Sequence, residues 1–127
     1  MAATDTLAAR FRLDGRVALV TGAGFGEGEG DAAADPAAVN KMVAAIPSLD
    51  ILVNNAGMNL PEPFVNITED RLDRVVNLNM RSQFLVAQAA VRKMLEHPQR
   101  KARGGAIVNV TSQMGHVGAE NRTVYCM

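Results

Sequence analysis

The sequence predicts an α/β fold, a doubly wound parallel sheet in one nucleotide-binding domain that spans residues 1–127 and is partial over that length. Three short apolar runs, 16–21, 49–54 and 104–112, have the length and β-branched composition of buried parallel strands. Segments with helical periodicity separate these runs, and glycine or polar residues follow each of them. Alternation of strands and helices is typical of parallel sheets.

Composition and charge exclude several classes of function. Of 127 residues, 48% are hydrophobic and 20% charged, and 13 basic side chains balance 13 acidic ones. This balance gives no electrostatic reason to bind nucleic acid or an anionic membrane. Cys126 is the only cysteine, and no apolar run approaches the roughly 18 residues of a membrane span. We therefore expect a cytoplasmic protein that binds neither nucleic acid nor membrane and uses no metal ion.

The first strand leads directly into a glycine-rich turn, Thr21-Gly22-Ala23-Gly24-Phe25-Gly26-Glu27-Gly28. Glycines let the backbone approach a pyrophosphate closely, and the N-terminus of a following helix favours its negative charge. We expect Gly22, Gly26 and Gly28 to bind a dinucleotide. A turn of this kind also accepts S-adenosylmethionine, so the turn alone leaves a methyltransferase open.

The chain is too short after this turn for a complete nucleotide-binding half. Seven residues separate Gly28 from Pro36, whereas a crossover between parallel strands needs a dozen or more. A second and a third strand with their helices are therefore expected to be absent. Asp35 as cap and Pro36 as first residue predict a helix that ends near Ile46. Its predicted buried face comprises Val39, Met42, Val43 and Ile46.

A second strand and a long helix provide the next candidate residues. Asn54-Asn55-Ala56-Gly57 follows the strand at 49–54, and Thr68 is expected to cap a helix that continues to about Leu95. Asn79 lies on the apolar face of that helix, where an asparagine needs a hydrogen-bond partner. The basic residues that follow are expected to form a solvated helix end and loop: Arg92, Lys93, Arg100, Lys101 and Arg103.

The third strand ends at Ser112, and Tyr125 follows thirteen residues later, at the expected start of a helix. Ligands of open α/β sheets bind at the carboxyl ends of the strands, so the Ser112 hydroxyl is well placed for chemistry. With the glycine turn, Asn54 to Gly57 and Asn79, this pair resembles the short-chain dehydrogenase/reductase family, whose fold is Rossmann-like.

The resemblance implies a role for each candidate residue. Tyr125 would act as acid and base, Ser112 would hold the substrate oxygen, and Asn79 would distort its helix and hold a water in the proton relay. The cofactor would be NAD or NADP, bound by Gly22, Gly26, Gly28, Asn54, Ala56 and Gly57. Phe25 stands where relatives that prefer NADP often carry a basic residue, which favours NAD slightly. The helix after Phe84 would make subunit contacts, so we expect a homo-oligomer, a dimer or a tetramer.

The resemblance also predicts an oxidoreductase that transfers a hydride between the nicotinamide cofactor and a secondary alcohol or ketone. The family places a lysine four residues after the tyrosine, at position 129 here, whereas the sequence ends at Met127. Two explanations remain: the sequence omits parts of a longer protein, or a truncated protein exists. The alternative function is a catalytically inactive fragment or pseudoenzyme that acts through oligomerisation.

Overall fold

The computed structural model describes residues 12–22 and 34–127. Ala23 to Gly28 of the glycine-rich turn lie outside these residues. In chain order the described helices and strands are β1 (Ala18–Val20), α1 (Pro36–Ala44), β2 (Ile51–Asn54), α2 (Glu69–Val76), a π-helical turn (Asn77–Ser82), α3 (Gln83–Leu95), α4 (Arg100–Arg103) and β3 (Ala106–Asn109). Within the described parts, no helix is long and apolar enough to cross a membrane.

The three strands form one parallel sheet in the order β1-β2-β3. Val20 of β1 is paired with Val53 of β2, and Val53 is paired with Val108 of β3. The carboxyl ends of the strands therefore lie at one edge of the sheet, where ligands of such folds bind. The predicted α/β class and the three strands are confirmed.

One face of the sheet is covered by α1 and α3. The buried core between these layers consists of Val39, Val43, Leu49, Leu52, Val86, Ala89, Ala90 and Met94. Asp35 caps α1 as predicted, since its carboxylate accepts hydrogen bonds from the backbone N–H groups of Ala37 and Ala38. Met42 was wrongly predicted to be buried: it is 42% exposed, because the core contacts only the side of α1 that carries Val39 and Val43.

No helix or strand of residues 12–22 and 34–127 covers the opposite face of the sheet. Val20 of β1 and Val108 of β3 are both exposed, although side chains of parallel sheets are ordinarily buried on both faces. Successive residues of a strand point to opposite faces, so these valines point away from the face that packs on α1 and α3. Among the described helices, α1 and α3 thus cover only one face of the sheet.

The long helix predicted after Thr68 is present, with an irregular turn in its middle. The Thr68 hydroxyl accepts a hydrogen bond from the Arg71 backbone N–H at 3.3 Å and caps α2. The π-helical turn Asn77–Ser82 then joins α2 to α3 and contains Asn79. Such turns inside α-helices occur frequently at functional sites.

Two of the basic residues after α3, Arg100 and Arg103, do not extend into solvent as we expected, whereas Lys101 is exposed. Arg100 and Arg103 belong to the short helix α4, and both hydrogen-bond Asp50, which is 1% exposed at the start of β2. Arg103 donates to both carboxylate oxygens, at 2.6 and 2.8 Å. Its hydrogen bonds, with those of the Val17 N–H and of Arg100, hold the pKa of Asp50 far below its usual range, against the effect of burial. A buried carboxylate needs such partners, which explains why these arginines fold back onto the sheet.

Candidate active site

Thr21, at the carboxyl end of β1, fixes the turn that follows β2. The Oγ1 atom of Thr21 accepts hydrogen bonds from the backbone N–H groups of Asn55 and Ala56, at 3.0 and 3.1 Å. The side chain of Asn55 donates in return to the Thr21 carbonyl oxygen at 3.2 Å. These three bonds join the ends of two neighbouring strands and determine where the backbone after β2 lies.

Gly22 lies directly against this turn. Its φ is +75°, and a Cβ atom built on it would lie 2.7 Å from the Cα and 2.9 Å from the N of Ala56. Positive φ and so close a backbone approach both require glycine at this position. The contact brings Gly22 and Ala56, two of the predicted cofactor-binding residues, together at the carboxyl edge of the sheet.

The side-chain amide of Asn79 binds the loop that follows Gly57. Its Oδ1 accepts a hydrogen bond from the Met58 N–H, and its Nδ2 donates to the Met58 carbonyl oxygen, both at 2.8 Å. The partner expected for Asn79 is therefore the backbone of Met58. A Cβ atom on Gly57 would lie 3.4 Å from the same Oδ1, so a larger side chain at Gly57 would crowd this contact.

Asn54, the last residue of β2, is the buried centre of a network of amide hydrogen bonds. Its Nδ2 donates to Asn109 Oδ1 at 2.9 Å and to the Gln83 carbonyl oxygen at 3.3 Å. The side chain of Gln83 donates to the Ala56 carbonyl oxygen at 3.4 Å. Asn54 is 1% exposed. It therefore supports the turn from beneath, by joining β2 to β3 and to the first residue of α3.

Ser112 and Tyr125 lie on two short 3₁₀ turns that pack against each other. The Ser112 hydroxyl caps the turn Gln113–Gly115, where it accepts a hydrogen bond from the Met114 N–H at 3.2 Å. Tyr125 is the central residue of the turn Val124–Cys126 and is half-buried. The structure thus brings the segments of both predicted catalytic residues together beyond the carboxyl end of β3.

The loop from Met58 to Glu62 connects these parts of the site. Asn79 holds its first residue, and the N–H of Glu62 at its other end donates to the Asn121 carbonyl oxygen at 2.8 Å. Asn121, which has a φ of +57°, lies between Ser112 and Tyr125 in the chain. The loop therefore spans from the irregular helical turn to the segment that carries the serine and the tyrosine.

Next to this loop lies a shallow groove of about 320 Å³. Its lining residues come from the segment between the loop and α2, from α2 and from the end of the chain, and most are apolar: Phe64, Ile67, Thr68, Glu69, Leu72, Thr123, Val124 and Met127. Val124 is the neighbour of Tyr125 in the chain. The groove therefore has an apolar surface on one side of the turn that carries Tyr125.

Sequence reasoning missed several residues that build this site. Thr21, Gln83 and Asn109 were not predicted as site residues, although each joins two segments of the site. Thr21 directly precedes Gly22 at a strand end, which was an available indication. Gln83 and Asn109 act through long-range contacts that no local pattern encodes. Gly26 and Gly28, which were predicted, lie outside the described residues.

The described residues fit a dinucleotide at this edge of the sheet. Gly22 lies against the Ala56 backbone, and Thr21 and Asn79 hold the turn from Asn54 to Gly57 beside it, so bare backbone forms this edge. Among residues 12–22 and 34–127, no group of three or more His, Cys, Asp or Glu side chains could hold a metal ion. This edge thus offers hydroxyls and backbone groups to a ligand.

Comparison with known proteins agrees with this geometry. The family model described as short chain dehydrogenase matches residues 29–127. L-xylulose reductase of Mesocricetus auratus is 38% identical over 95 residues, which cover 73% of this chain and 36% of the relative. The crystal structure of a gluconate 5-dehydrogenase from Burkholderia cenocepacia, in complex with NADP and tartrate, aligns with a TM-score of 0.75 and 28% identity. That alignment covers 92% of this chain and 61% of the other.

A third relative bears on the elements that we expected to be absent. D-threitol dehydrogenase of Mycolicibacterium smegmatis is 32% identical over 160 residues, which cover 91% of this chain and 60% of the relative. The alignment is longer than the 127-residue chain, so it contains positions of the relative that have no counterpart here. The chain thus spans between about one third and three fifths of the length of the relatives that it matches.

Proposed function

The chain belongs to the short chain dehydrogenase family, and from this we propose that it carries the reaction centre of an NAD(P)-dependent dehydrogenase or reductase. The reaction interconverts a secondary alcohol and a ketone. The nicotinamide, when bound, accepts or gives the hydride. The observation that carries the proposal is the packing of the Ser112 turn against the Tyr125 turn, beyond the strand end.

Tyr125 acts as the base of this reaction in the oxidative direction and as the acid in the reductive direction. In the oxidative direction the alcohol gives its O–H proton to the phenolate oxygen of Tyr125, and its C–H hydrogen leaves as a hydride, so that a C=O bond forms. In the reductive direction the phenol returns that proton to the developing alkoxide. The Ser112 hydroxyl holds the reacting oxygen and stabilises its charge as it develops.

Asn79 and the groups around it keep the centre in place. By holding both polar backbone groups of Met58, Asn79 fixes the loop that runs to Asn121. The π-helical turn that contains Asn79 supports its proposed place in a proton relay. Positioning of this kind contributes to rate because small displacements of reacting groups are costly.

The cofactor is proposed to lie across Gly22 and the turn from Asn54 to Gly57, with Gly26 and Gly28 at its pyrophosphate. Either NAD or NADP suits these residues. Phe25 favours NAD slightly, whereas the Burkholderia cenocepacia structure is a complex with NADP. Both cofactors therefore belong in the first assays. The substrates to test are L-xylulose, D-threitol and gluconate, which appear in the names of the relatives.

A homo-oligomer is also proposed, with its contact on the outer face of α3 and the turn before it. Exposed apolar side chains recur along this face at helical spacing and form one apolar stripe: Met80, Phe84, Val91 and Leu95. Gln88, which is also exposed, lies on the same face between Phe84 and Val91. Phe84 and Leu95 are each 66% exposed. An apolar stripe of this length is typical of a surface that another subunit covers.

The proposed reaction takes place in the cytoplasm, where the free thiol of Cys126 remains reduced. The experiment that tests the reaction follows the absorbance of NADH and of NADPH during incubation of the protein with a panel of small ketones. Oxidation of either cofactor that depends on the ketone supports the proposal. If neither cofactor is oxidised with any ketone, the observation favours the non-catalytic alternative and contradicts the proposal.

A further inference from the structure

The strands β2 and β3 both end in an asparagine. Asn54 and Asn109 lie opposite each other in the register of the parallel strands, and the Val110 N–H donates to the Asn54 carbonyl oxygen at 2.8 Å. The two side chains are also joined, because Asn54 Nδ2 donates to Asn109 Oδ1 at 2.9 Å. Backbone and side chains therefore both hold these strand ends together, three residues before Ser112.

The orientation of the Asn54 side-chain amide depends on its nitrogen. Its Nδ2 donates to Asn109 and to the Gln83 carbonyl oxygen, and a side-chain amide has no further N–H group. Its Oδ1 is buried and has no partner within residues 12–22 and 34–127. Without the Asn109 oxygen, a single hydrogen bond of 3.3 Å would hold this amide, and a buried N–H group would be left unpaired.

Asn54 also connects three parts of the candidate site. Its backbone begins the turn after β2, where the cofactor is proposed to lie. Its side chain reaches Gln83, the residue directly after the π-helical turn, and the Gln83 side chain donates back to the turn after β2 at 3.4 Å. The bond to Asn109 adds β3, the strand that leads to Ser112. Asn109 thus links the strand of Ser112 to the cofactor turn and to the irregular helix.

We propose that Asn109 is a positioning residue for hydride transfer and fixes Ser112 at the correct distance from the cofactor. It acts through Asn54 and through the strand that leads to Ser112, rather than by contact with the reacting atoms. The inference rests on the proposed function, because it needs a cofactor on the turn after β2 and a substrate oxygen held by Ser112. Misplacement of reacting groups by about 1 Å costs about a hundredfold in rate, so we expect Asn109 to affect transfer more than binding.

The place of Asn109 at the edge of the sheet makes it suitable for substitution. The residue as a whole is exposed, like the rest of β3, so its replacement opens no cavity in the core. Asn109→Leu is similar in size and has no acceptor, whereas Asn109→Asp keeps an oxygen that can accept from Asn54. Val108→Ala is the control for general loosening of β3, because it changes the neighbouring residue, which is 50% exposed, and removes no side-chain hydrogen bond.

The kinetic test measures the rate of hydride transfer in a single turnover, from NADH or NADPH to a ketone, in each variant. Asn109→Leu should slow this rate about tenfold or more and leave the cofactor dissociation constant within about twofold of wild type. Asn109→Asp and Val108→Ala should each retain the wild-type rate within about threefold. A wild-type rate in Asn109→Leu, or an equal loss in Val108→Ala, overturns the inference while the proposed function stands. If wild type oxidises neither cofactor with any ketone, both fail.

A second readout needs neither cofactor nor substrate. The Met114 N–H donates to Ser112 Oγ at 3.2 Å, so its hydrogen exchange with solvent reports on the turn that carries Ser112. Exchange at Met114 should be about threefold or more faster in Asn109→Leu than in Asn109→Asp and Val108→Ala. Equal exchange in the three variants would show that the pair of asparagines does not hold this turn, and it would overturn the inference.

Discussion

The side-chain amide of Asn79 accepts one hydrogen bond from the Met58 N–H and donates one to the Met58 carbonyl oxygen, each 2.8 Å long. A single side chain thereby replaces the pairing that a strand neighbour would provide, at a point where the chain has left the sheet. Because Asn79 lies in the π-helical turn Asn77–Ser82, the irregular helix and the loop of the site form one unit.

Replacing Asn79 with alanine should release this loop. Both bonds to Met58 are lost and two backbone groups are left unpaired, so the free energy of unfolding should fall by roughly 1–3 kcal/mol. The direct measurement is amide hydrogen exchange at Met58, which should accelerate strongly. Asn77→Ala, in the same helical turn, is the control. Equal exchange at Met58 in the two variants would show that Asn79 does not hold the loop.

Gly22→Ala should impair both folding and cofactor binding. The new Cβ atom would lie 2.7 Å from Ala56 Cα, and φ at this position is +75°. Gly15 has a similar φ of +66° with nothing within 4 Å of a built Cβ atom, so Gly15→Ala isolates the cost of the backbone conformation. That cost is about 1–2 kcal/mol. In thermal unfolding, Gly22→Ala should lose clearly more stability than Gly15→Ala, and equal losses would contradict the close contact.

Asp50 should make stability depend on pH in acid. Its pKa is lowered in the folded protein, mainly by Arg103, so its contribution is complete above the unfolded value of about 4 and is lost as the pH falls below that value. Above pH 5, Asp50→Asn should be less stable than wild type by roughly 1–3 kcal/mol. Between pH 5 and pH 3 the difference between the urea midpoints of wild type and Asp50→Asn should begin to narrow. The control is Asp73→Asn, which changes an exposed carboxylate on α2. If the difference in urea midpoint between wild type and Asp50→Asn stays the same at every pH, the ion pair is contradicted.

Phe84→Glu should disrupt the proposed oligomer. Phe84 is 66% exposed within the apolar stripe, and burying a glutamate in a subunit contact is costly. Sedimentation should show a smaller species than the wild-type protein at the same concentration. Phe64→Glu changes a phenylalanine that is 72% exposed but lies outside the stripe, and it should leave the assembly unchanged. If Phe64→Glu dissociates the protein and Phe84→Glu does not, the contact lies elsewhere.

Local patterns allowed much of the fold to be predicted. The Asp35-Pro36 pair begins α1, Thr68 caps α2, and the three apolar runs form the parallel sheet, because each depends on neighbouring residues. The contacts of Asp50 with Arg100 and Arg103 could not be predicted, since they join residues about fifty positions apart. Their charge alone predicted that these arginines extend into solvent. They fold back onto the sheet because the buried carboxylate of Asp50 needs hydrogen-bond donors.

In the candidate site, too, the sequence predicted some residues, but it did not predict the contacts between distant segments. The family resemblance paired Ser112 with Tyr125, and the structure packs their two turns together. The hydrogen bonds of Thr21 to Ala56 and of Asn79 to Met58 depend on contact between segments that are distant in the chain. No periodicity or composition encodes such contacts.

The most direct test of the central claim follows the hydride itself in wild type and in Tyr125→Phe. Each protein is given a reduced cofactor that carries deuterium on the transferred position, together with a ketone, and the alcohol product is analysed by mass spectrometry. Cofactor binding is measured alongside by calorimetry, and Cys126→Ser is the control for changes in this turn. We predict deuterium on the carbinol carbon with wild type and with Cys126→Ser, at least about a hundredfold less product with Tyr125→Phe, and nearly unchanged cofactor affinity. Equal deuterium transfer by Tyr125→Phe would contradict the account.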